Sequence, residues 1–471
     1  MARLVLVLSC LTAAVLGYLV LLLRYLRGNS AEQSQSFPKP LPTVKQATML
    51  PQTQSCPIGT LGCPCEVQGR CFDNLLCMRQ GRSGGGGSGG DGSEIVETCA
   101  IDPLRSNFTT RPDFQDPRPA GCAEKSYYKG EALAALPTAS VVMAFYQESR
   151  RGLEYSVRSL LARSNWEKLL EIILVDDFND EVVGTDVFSL PKVRVIRTTR
   201  REGLIRGRML GASYARGDVI IFLDSHVEVA PGWLEPLLER IAAYPKAIAV
   251  PTIDTIGEED EGFKYTPGGE GCGGFGLADL TFRWDDIARC QELQERLLGQ
   301  TGVEGWALEV LTAPSEPYPS PAHPGGLYAI AKDWWHAGGE YDSGMELYGG
   351  ENTEQSLRVW RCGGRIDMVP CSHIGHIFKR AWPYKEFDNS LMFRNMMRIA
   401  NVWLDGDYRD TFYRTHNGVE RNIHPGDVTE RLRLQADLHC HDMNWFTKTI
   451  YPQLDAEVIN ATDLVADRRQ S

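Results

Sequence analysis

Between Pro137 and Val229 the apolar positions fall into short runs separated by polar, turn-forming stretches. The run "ASVVMAFYQE" (Ala139 to Glu148) has the length and continuity of a strand buried on both faces. Leu153 to Ala162 has helical spacing, and "LLEIILVDDFND" (Leu169 to Asp180) predicts a second strand that ends in acids. "KVRVIRT" (Lys192 to Thr198) alternates as a third. "GLIRGRMLGASYARG" (Gly203 to Gly217) predicts a helix leading into "VIIFLDSHVEV" (Val219 to Val229), a fourth strand. Strand, helix, strand, strand, helix, strand is the order of an α/β fold with a doubly wound, Rossmann-like sheet.

Polar groups gather where such a sheet holds its ligands, at the carboxyl ends of strands. Asp176 and Asp177 close the second strand, and Asp224-Ser225-His226 closes the fourth. A carboxylate and a neutral imidazole two residues apart at a strand end project to one side and can share a divalent cation. The plain alternative is a turn cap beside a surface histidine, and for Asp176 and Asp177 it is helix or turn capping. A G-x-G-x-x-G after the first strand and a G-x-x-x-x-G-K-S/T anywhere are both missing, which speaks against a dinucleotide fold and a P-loop. Further along, Gly325-Gly326 lets backbone approach a ligand closely. "YGGENTEQSLRVW" (Tyr348 to Trp360) sets Glu351 and Asn352 before an amphipathic helix, where capping is the plain reading of Asn352. "HIGH" adds His373 and His376, either of which can complete a metal site.

Composition changes the picture at the N-terminus. Leu4 to Leu23 is a nearly unbroken apolar run flanked by Arg3, Arg24 and Arg27. About 20 apolar residues span a hydrocarbon core, and the run lacks a small-x-small cleavage site, so it predicts an uncleaved anchor rather than a signal peptide. Arg24 and Arg27 alone would leave the downstream chain in the cytosol. The cysteines argue the opposite. Of 13, six crowd into Cys56, Cys63, Cys65, Cys71, Cys77 and Cys99, in a Gly- and Pro-rich stretch too poor in core formers to fold by burial. Their spacing is not that of a zinc site, which leaves three disulfides of open connectivity. Sequons at Asn107 and Asn460 fit the same oxidising compartment. The net charge of -12 argues against a sequence-independent nucleic-acid binder. The expected organisation is a tail and anchor over 1–27, a stem over 28–55, a cysteine-rich module over 56–99 containing the linker "GRSGGGGSGGDG", a lead-in over 100–136, a catalytic domain over 137–454 and a tail over 455–471.

The chain resembles one family through "EIILVDDFND", "RREGLIRGRMLGA", "FLDSHVEVAPGWLEPLLERI", "PGGLYAI", "YGGENTEQSLRVWRCGG", "PCSHIGHIFK", "RNMMRIANVWLDGDYRDTFY" and "GDVTERLRLQADLHCHDMNWFTKTIYPQL". In that order and spacing, from Gly121 to Leu454, they are similar to the polypeptide N-acetylgalactosaminyltransferases, which begin mucin-type O-glycosylation. The resemblance implies a GT-A glycosyltransferase fold, a UDP-GalNAc donor, Mn2+, and serine or threonine acceptors in polypeptides. It implies that Asp224, His226 and His376 hold the metal. Asp176 or Asp177, Arg201, Gly203 and Leu204 then hold uridine and ribose, with Ser225 at the donor. Gly325 and Gly326 lie beside the sugar, Tyr348, Lys379 and Tyr384 close on the donor, and Glu351 and Asn352 serve the reacting centre. Transfer in the family retains anomeric configuration. The family pattern pairs Cys122 with Cys371 and Cys362 with Cys440, leaving Cys272 and Cys290 to pair with each other.

The chain also departs from the family. Tyr146 stands where the family has His, Tyr348 where it has Trp, and Lys379 where it has Arg, which loses the bidentate fork. His323 and Pro324 replace smaller or apolar residues, and "GGFGLADLTFRW" (Gly273 to Trp284) lacks the family's F-D-W. Each can shift affinity or sugar choice, and none removes a metal ligand. The chain stops soon after "IYPQL", where most members continue into a ricin-like lectin domain, so acceptor choice is expected to rest on the catalytic groove. The expectation is therefore a type II, lumenally oriented Golgi membrane enzyme. Its rivals are the same fold with another UDP-sugar and a catalytically silent peptide- or glycan-binding relative.

Overall fold

The computed structural model describes residues 75–81, 95–101, 116–180, 185–258, 264–299, 314–379, 389–416 and 423–458. The apolar run Leu4–Leu23, both sequons, Tyr384 and most of the cysteine-rich module lie outside the described residues. Of that module, Leu75–Gly81 and Ile95–Ile101 form an antiparallel hairpin. Among the described residues no helix is long and apolar enough to cross a membrane.

A ten-stranded mixed sheet organises the rest. Its first half holds β1 (Ala139–Phe145), β2 (Leu169–Asp176), β3 (Val193–Arg197) and β4 (Val219–Phe222). These four are parallel, in spatial order β4-β1-β2-β3. Helix α1 (Arg150–Arg163) crosses over between β1 and β2, and α2 (Gly203–Ser213) between β3 and β4. The side chains alternate between faces. Val142, Ala144, Ile173 and Val175 pack on the side of Ile205 and Ala212 from α2. Val141, Met143, Ile172 and Leu174 face Leu153, Val157 and Leu160 of α1.

Beyond β4 the sheet is no longer a parallel continuation. The expected strand through "VIIFLDSHVEV" is two pieces: β4 stops at Phe222, and β5 (Val227–Val229) belongs to a different partner. Asp224, Ser225 and His226 are the link between them, because the chain leaves one line of hydrogen bonds there to join another. β5 pairs antiparallel with β7 (Arg365–Ile377), setting Val227 opposite His376. β7 runs parallel to β6 (Ala247–Ile256) with a register shift between Val369 and His373. A strand at Tyr328–Ala331 lies antiparallel between β4 and β6. Helix α2 also ends earlier than its pattern predicts, at Ser213. Arg216 N and Gly217 N turn in to the Ser140 hydroxyl at 3.1 and 2.8 Å, and a Cβ on Gly217 would sit 2.5 Å from Ser140 N.

The second half wraps helices over the α2 face of the sheet. The helices are α3 (Glu351–Arg361), α4 (Asn389–Trp403), α5 (Gly406–Thr415), α6 (Thr429–Asp437) and α7 (Met443–Thr449). Disulfides Cys122–Cys371 and Cys362–Cys440 join segments far apart in sequence, and Cys272–Cys290 closes a short loop.

Candidate active site

The carboxyl ends of β1, β2 and β4 open onto a cavity of about 340 Å³. At its centre Asp224, His226 and His376 offer ligand atoms that all lie within 4.8 Å of one another. The register of β5 on β7 accounts for this convergence, since it carries His376 back beside the turn after β4. His376 Nε2 stands 3.1 Å from Asp224 Oδ2, and the His226 and His376 rings meet edge to face at 4.8 Å.

Two of these ligands, His226 and Asp224, are held from behind. His226 Nδ1 is 2.7 Å from Glu148 Oε2, which fixes the ring and leaves Nε2 for a cation. Glu148 also accepts from Ser225 Oγ at 2.9 Å and from Lys379 Nζ at 2.9 Å. Burial opposes the Glu148 charge, but the His226 hydrogen bond and the nearby His226 and Lys379 hold its carboxyl down to about 2. Asp224 is gripped by Arg208, a fully buried side chain of α2, whose Nη2 donates to Asp224 Oδ1 at 2.8 Å. Burial likewise opposes the Asp224 charge, and the His376 hydrogen bond with the Arg208 guanidinium pulls its carboxyl well below the carboxylate range. Burial lowers His376, which keeps the imidazole neutral with a lone pair to give. One carboxylate and two imidazoles suit Mn, Zn or Fe, and His376 Nδ1 is buried with no hydrogen-bond partner among the described residues, so the residues present fit a divalent cation.

Arg208 joins this centre to the glycine pair by donating to Gly325 O at 2.6 Å and Gly326 O at 2.7 Å. Both glycines are sterically required. A Cβ on Gly326 would stand 2.7 Å from Asp224 Oδ2; on Gly325, at φ +90°, it would stand 2.8 Å from Asn352 Cβ. Asn352 and Glu351 open α3 after Gly349 and Gly350, both at positive φ. Gly349 N donates to Glu351 Oε2 at 2.8 Å, and burial raises the Glu351 carboxyl above its ordinary value.

Tyr146, Asp177, Arg201 and Leu204 also line the cavity. Asp177 caps α2, accepting from Glu202 N at 2.7 Å and Gly203 N at 2.8 Å, and pairs with Arg201. The Arg201 guanidinium lies 3.8 Å from the Tyr146 ring centroid. Capping and cavity lining thus coexist at Asp177. Asp176 does not reach the cavity; its carboxylate holds the turn at Asn179 at 2.7 Å. Gly203 and Ser225 also stand behind the lining. Gly203, at φ +84°, admits the backbone of Leu347, where a Cβ would come within 2.3 Å of its Cα. Tyr348 and Lys379 also line the cavity. His373, the other half of "HIGH", turns away to Asp254 at 3.0 Å.

Two functional residues escape a reading by motif. Glu148 is one letter in a strand end, and nothing in its spacing ties it to His226. Arg208 carried a usable signal. With Ile205 and Ala212 it lies at i, i+3, i+7 on the face α2 turns to the sheet, and a charge there must find a partner.

Residues 140–285 match the model of Glycosyl transferase family 2. Polypeptide N-acetylgalactosaminyltransferase 4 of Mus musculus is 39% identical over 368 residues, 77% of this chain and 59% of its own length. Polypeptide N-acetylgalactosaminyltransferase 12 of Mus musculus is 41% identical over 325 residues, covering 68% of this chain and 52% of its own. The chain therefore spans little more than half the length of these curated relatives. The crystal structure of GalNAc-T7 with UDP, GalNAc and Mn2+ aligns with a TM-score of 0.58 at 31% identity, over 68% of this chain and 58% of that one.

Proposed function

Because the chain belongs to the polypeptide N-acetylgalactosaminyltransferase family, we propose that it transfers GalNAc from UDP-GalNAc to serine and threonine hydroxyls of polypeptides. One observation carries the reading. A single cavity is lined by the Asp224, His226, His376 triad, by Asp177 and Arg201, and by Glu351 and Asn352. These are the groups that a diphosphate, a nucleotide and a sugar require.

Asp224, His226 and His376 would hold Mn2+, the ion bound in the GalNAc-T7 crystal structure. Such a cation supplies neutralisation of the charge that develops on the departing diphosphate. The chain's own groups do the rest. Glu148 and Arg208 keep His226 and Asp224 in place. Lys379 adds positive charge at the diphosphate end, and Asp177 with Arg201 receives the uridine. Gly325 and Gly326 let the sugar approach the backbone, with Asn352 and Glu351 orienting sugar and acceptor. In the retaining course we propose, the acceptor oxygen attacks C1 from the face the leaving group departs. The C1–O bond to UDP breaks with its electrons going to the diphosphate, which takes the acceptor proton. A Glu351 nucleophile, as in retaining glycosidases, is the less favoured course. The apolar run Leu4–Leu23 and the cysteine-rich stretch support a type II Golgi enzyme with a lumenal catalytic domain.

The absence of the F-D-W motif from Gly273–Trp284 favours a second reading, the same fold with another UDP-sugar. One assay separates the two. The full chain is incubated with Mn2+, a Ser/Thr- and Pro-rich peptide mixture, and UDP-GalNAc or UDP-GlcNAc in parallel, and peptide mass is followed. A mass increase from UDP-GalNAc that EDTA abolishes is the expected result. Transfer from UDP-GlcNAc alone refutes the donor assignment, and UDP binding without transfer from either refutes the enzymatic reading.

A further inference from the structure

Behind the glycine pair lies a group of buried polar side chains that no step above uses. His323 is fully buried, and Gln355 and Tyr341 nearly so. The His323 ring lies 4.8 Å from that of Tyr328, whose hydroxyl is 2.7 Å from that of Tyr341, and Tyr341 in turn feels the Arg208 guanidinium. Gln355 lies close enough to His323 and Tyr328 to influence both. Yet no well-formed hydrogen bond reaches either ring nitrogen of His323, or either amide heavy atom of Gln355, among the described residues. Burial, with the charges of Arg208 and Arg358, holds His323 down to about 3, so the ring is neutral.

An apolar side chain of similar size would fill this space without unmet polar atoms, and burying such atoms opposes folding. Polar groups at such a position point to work other than packing. Their backbone ties indicate which work. His323 N donates to the Ser356 hydroxyl at 3.2 Å, and His323 O accepts from Asn352 Nδ2 at 3.3 Å. The next three residues, Pro324, Gly325 and Gly326, line the cavity. Gln355 sits one turn along α3 from Glu351 and Asn352. The pair therefore adjoins both the Gly325–Gly326 segment and the start of α3, the two stretches proposed to meet the sugar.

We propose that His323 and Gln355 are positioning residues for the donor sugar, fixing the set of Gly325, Gly326 and Asn352 by which one sugar is told from another. The inference rests on the donor site described under the proposed function. It predicts a separation that packing alone would not give: the fold gains from an apolar replacement while sugar selection loses.

The test is calorimetric titration of the full chain, in Mn2+, with UDP, UDP-GalNAc and UDP-GlcNAc, alongside thermal midpoints. In His323→Met the midpoint holds or rises, UDP binds as in the wild type, and the preference between sugars falls on the order of tenfold. His323→Gln, which restores a polar side chain, retains the preference. A His323→Met protein that discriminates as the wild type does overturns the inference, and so does one that loses UDP affinity together with sugar preference. A wild type that prefers UDP-GlcNAc overturns the donor assignment alone, since the His323 effect is then read on that sugar. A wild type that prefers neither sugar overturns both.

Discussion

Glu148 accepts from Ser149 N and faces Ser225, His226 and Lys379, and so couples the end of β1 to one metal ligand and to the cavity wall. Replacing it with Gln keeps the volume, removes the charge and turns one oxygen into a donor that faces the same groups. We expect Glu148→Gln to weaken Mn2+ binding by about 10–100-fold with the fold retained, measured by calorimetry. Unchanged affinity would mean that His226 is oriented by something else. At this scale the sequence exposes residues whose setting contradicts their chemistry. Asp224 and His226 stand out because an apolar run leads straight to them, whereas Glu148 and Arg208 act through contacts between distant segments. Asp176 and Asp177 look equivalent in sequence, and only the turn at Asn179 separates them.

Helix α2 lies flat on the sheet because its inward face is small. A Cβ on Gly211 would stand 2.4 Å from Val142 Cγ1 and 2.9 Å from Val175 Cγ2. Gly211→Ala sets overpacking of about 1–3 kcal/mol against a helix-propensity gain of about 1 kcal/mol. The expected outcome is a lower denaturation midpoint, largely restored when Val142→Ala makes room. A midpoint that rises in the single variant would contradict this packing. Continuous apolar runs reveal β1 and β2, which bury nearly every side chain, and alternation reveals β3, which is only half-buried. Neither could reveal that β4 and β5 are separate, nor that Tyr328–Ala331 enters antiparallel between β4 and β6. An apolar run records burial and not the identity of its hydrogen-bonding neighbour.

Across the molecule, the helices of the second half are tied together through Glu354. Its carboxylate accepts from Arg358 Nε, Arg431 Nη2 and Trp403 Nε1 at 2.9, 2.9 and 3.0 Å, linking α3, α4 and α6. Burial disfavours the charge, but Arg358 and Arg431 outweigh it and hold the carboxyl at about 2, against an ordinary 4.5. The unfolded chain takes up the proton first as pH falls. The stabilisation is therefore complete above about 4.5 and is lost progressively toward 2. Midpoints measured across that window should fall with pH, and in Glu354→Gln the fall should be shallower from a baseline about 3–5 kcal/mol lower. An equal acid slope in the variant would place the lability elsewhere. Little of this network was legible beforehand, because an arginine at i+4 from a glutamate reads as an ordinary surface pair. The disulfide pairings were likewise a matter of resemblance, since spacing alone leaves connectivity open.

The central claim is that Asp224, His226 and His376 hold the cation on which the donor's diphosphate rests. Anomalous scattering at the manganese edge, from crystals of the protein grown with UDP and Mn2+, tests it most directly. The account predicts a strong peak enclosed by those three side chains and touching the diphosphate. A peak at any other site, or UDP bound in the cavity with no manganese between it and Asp224, would contradict it.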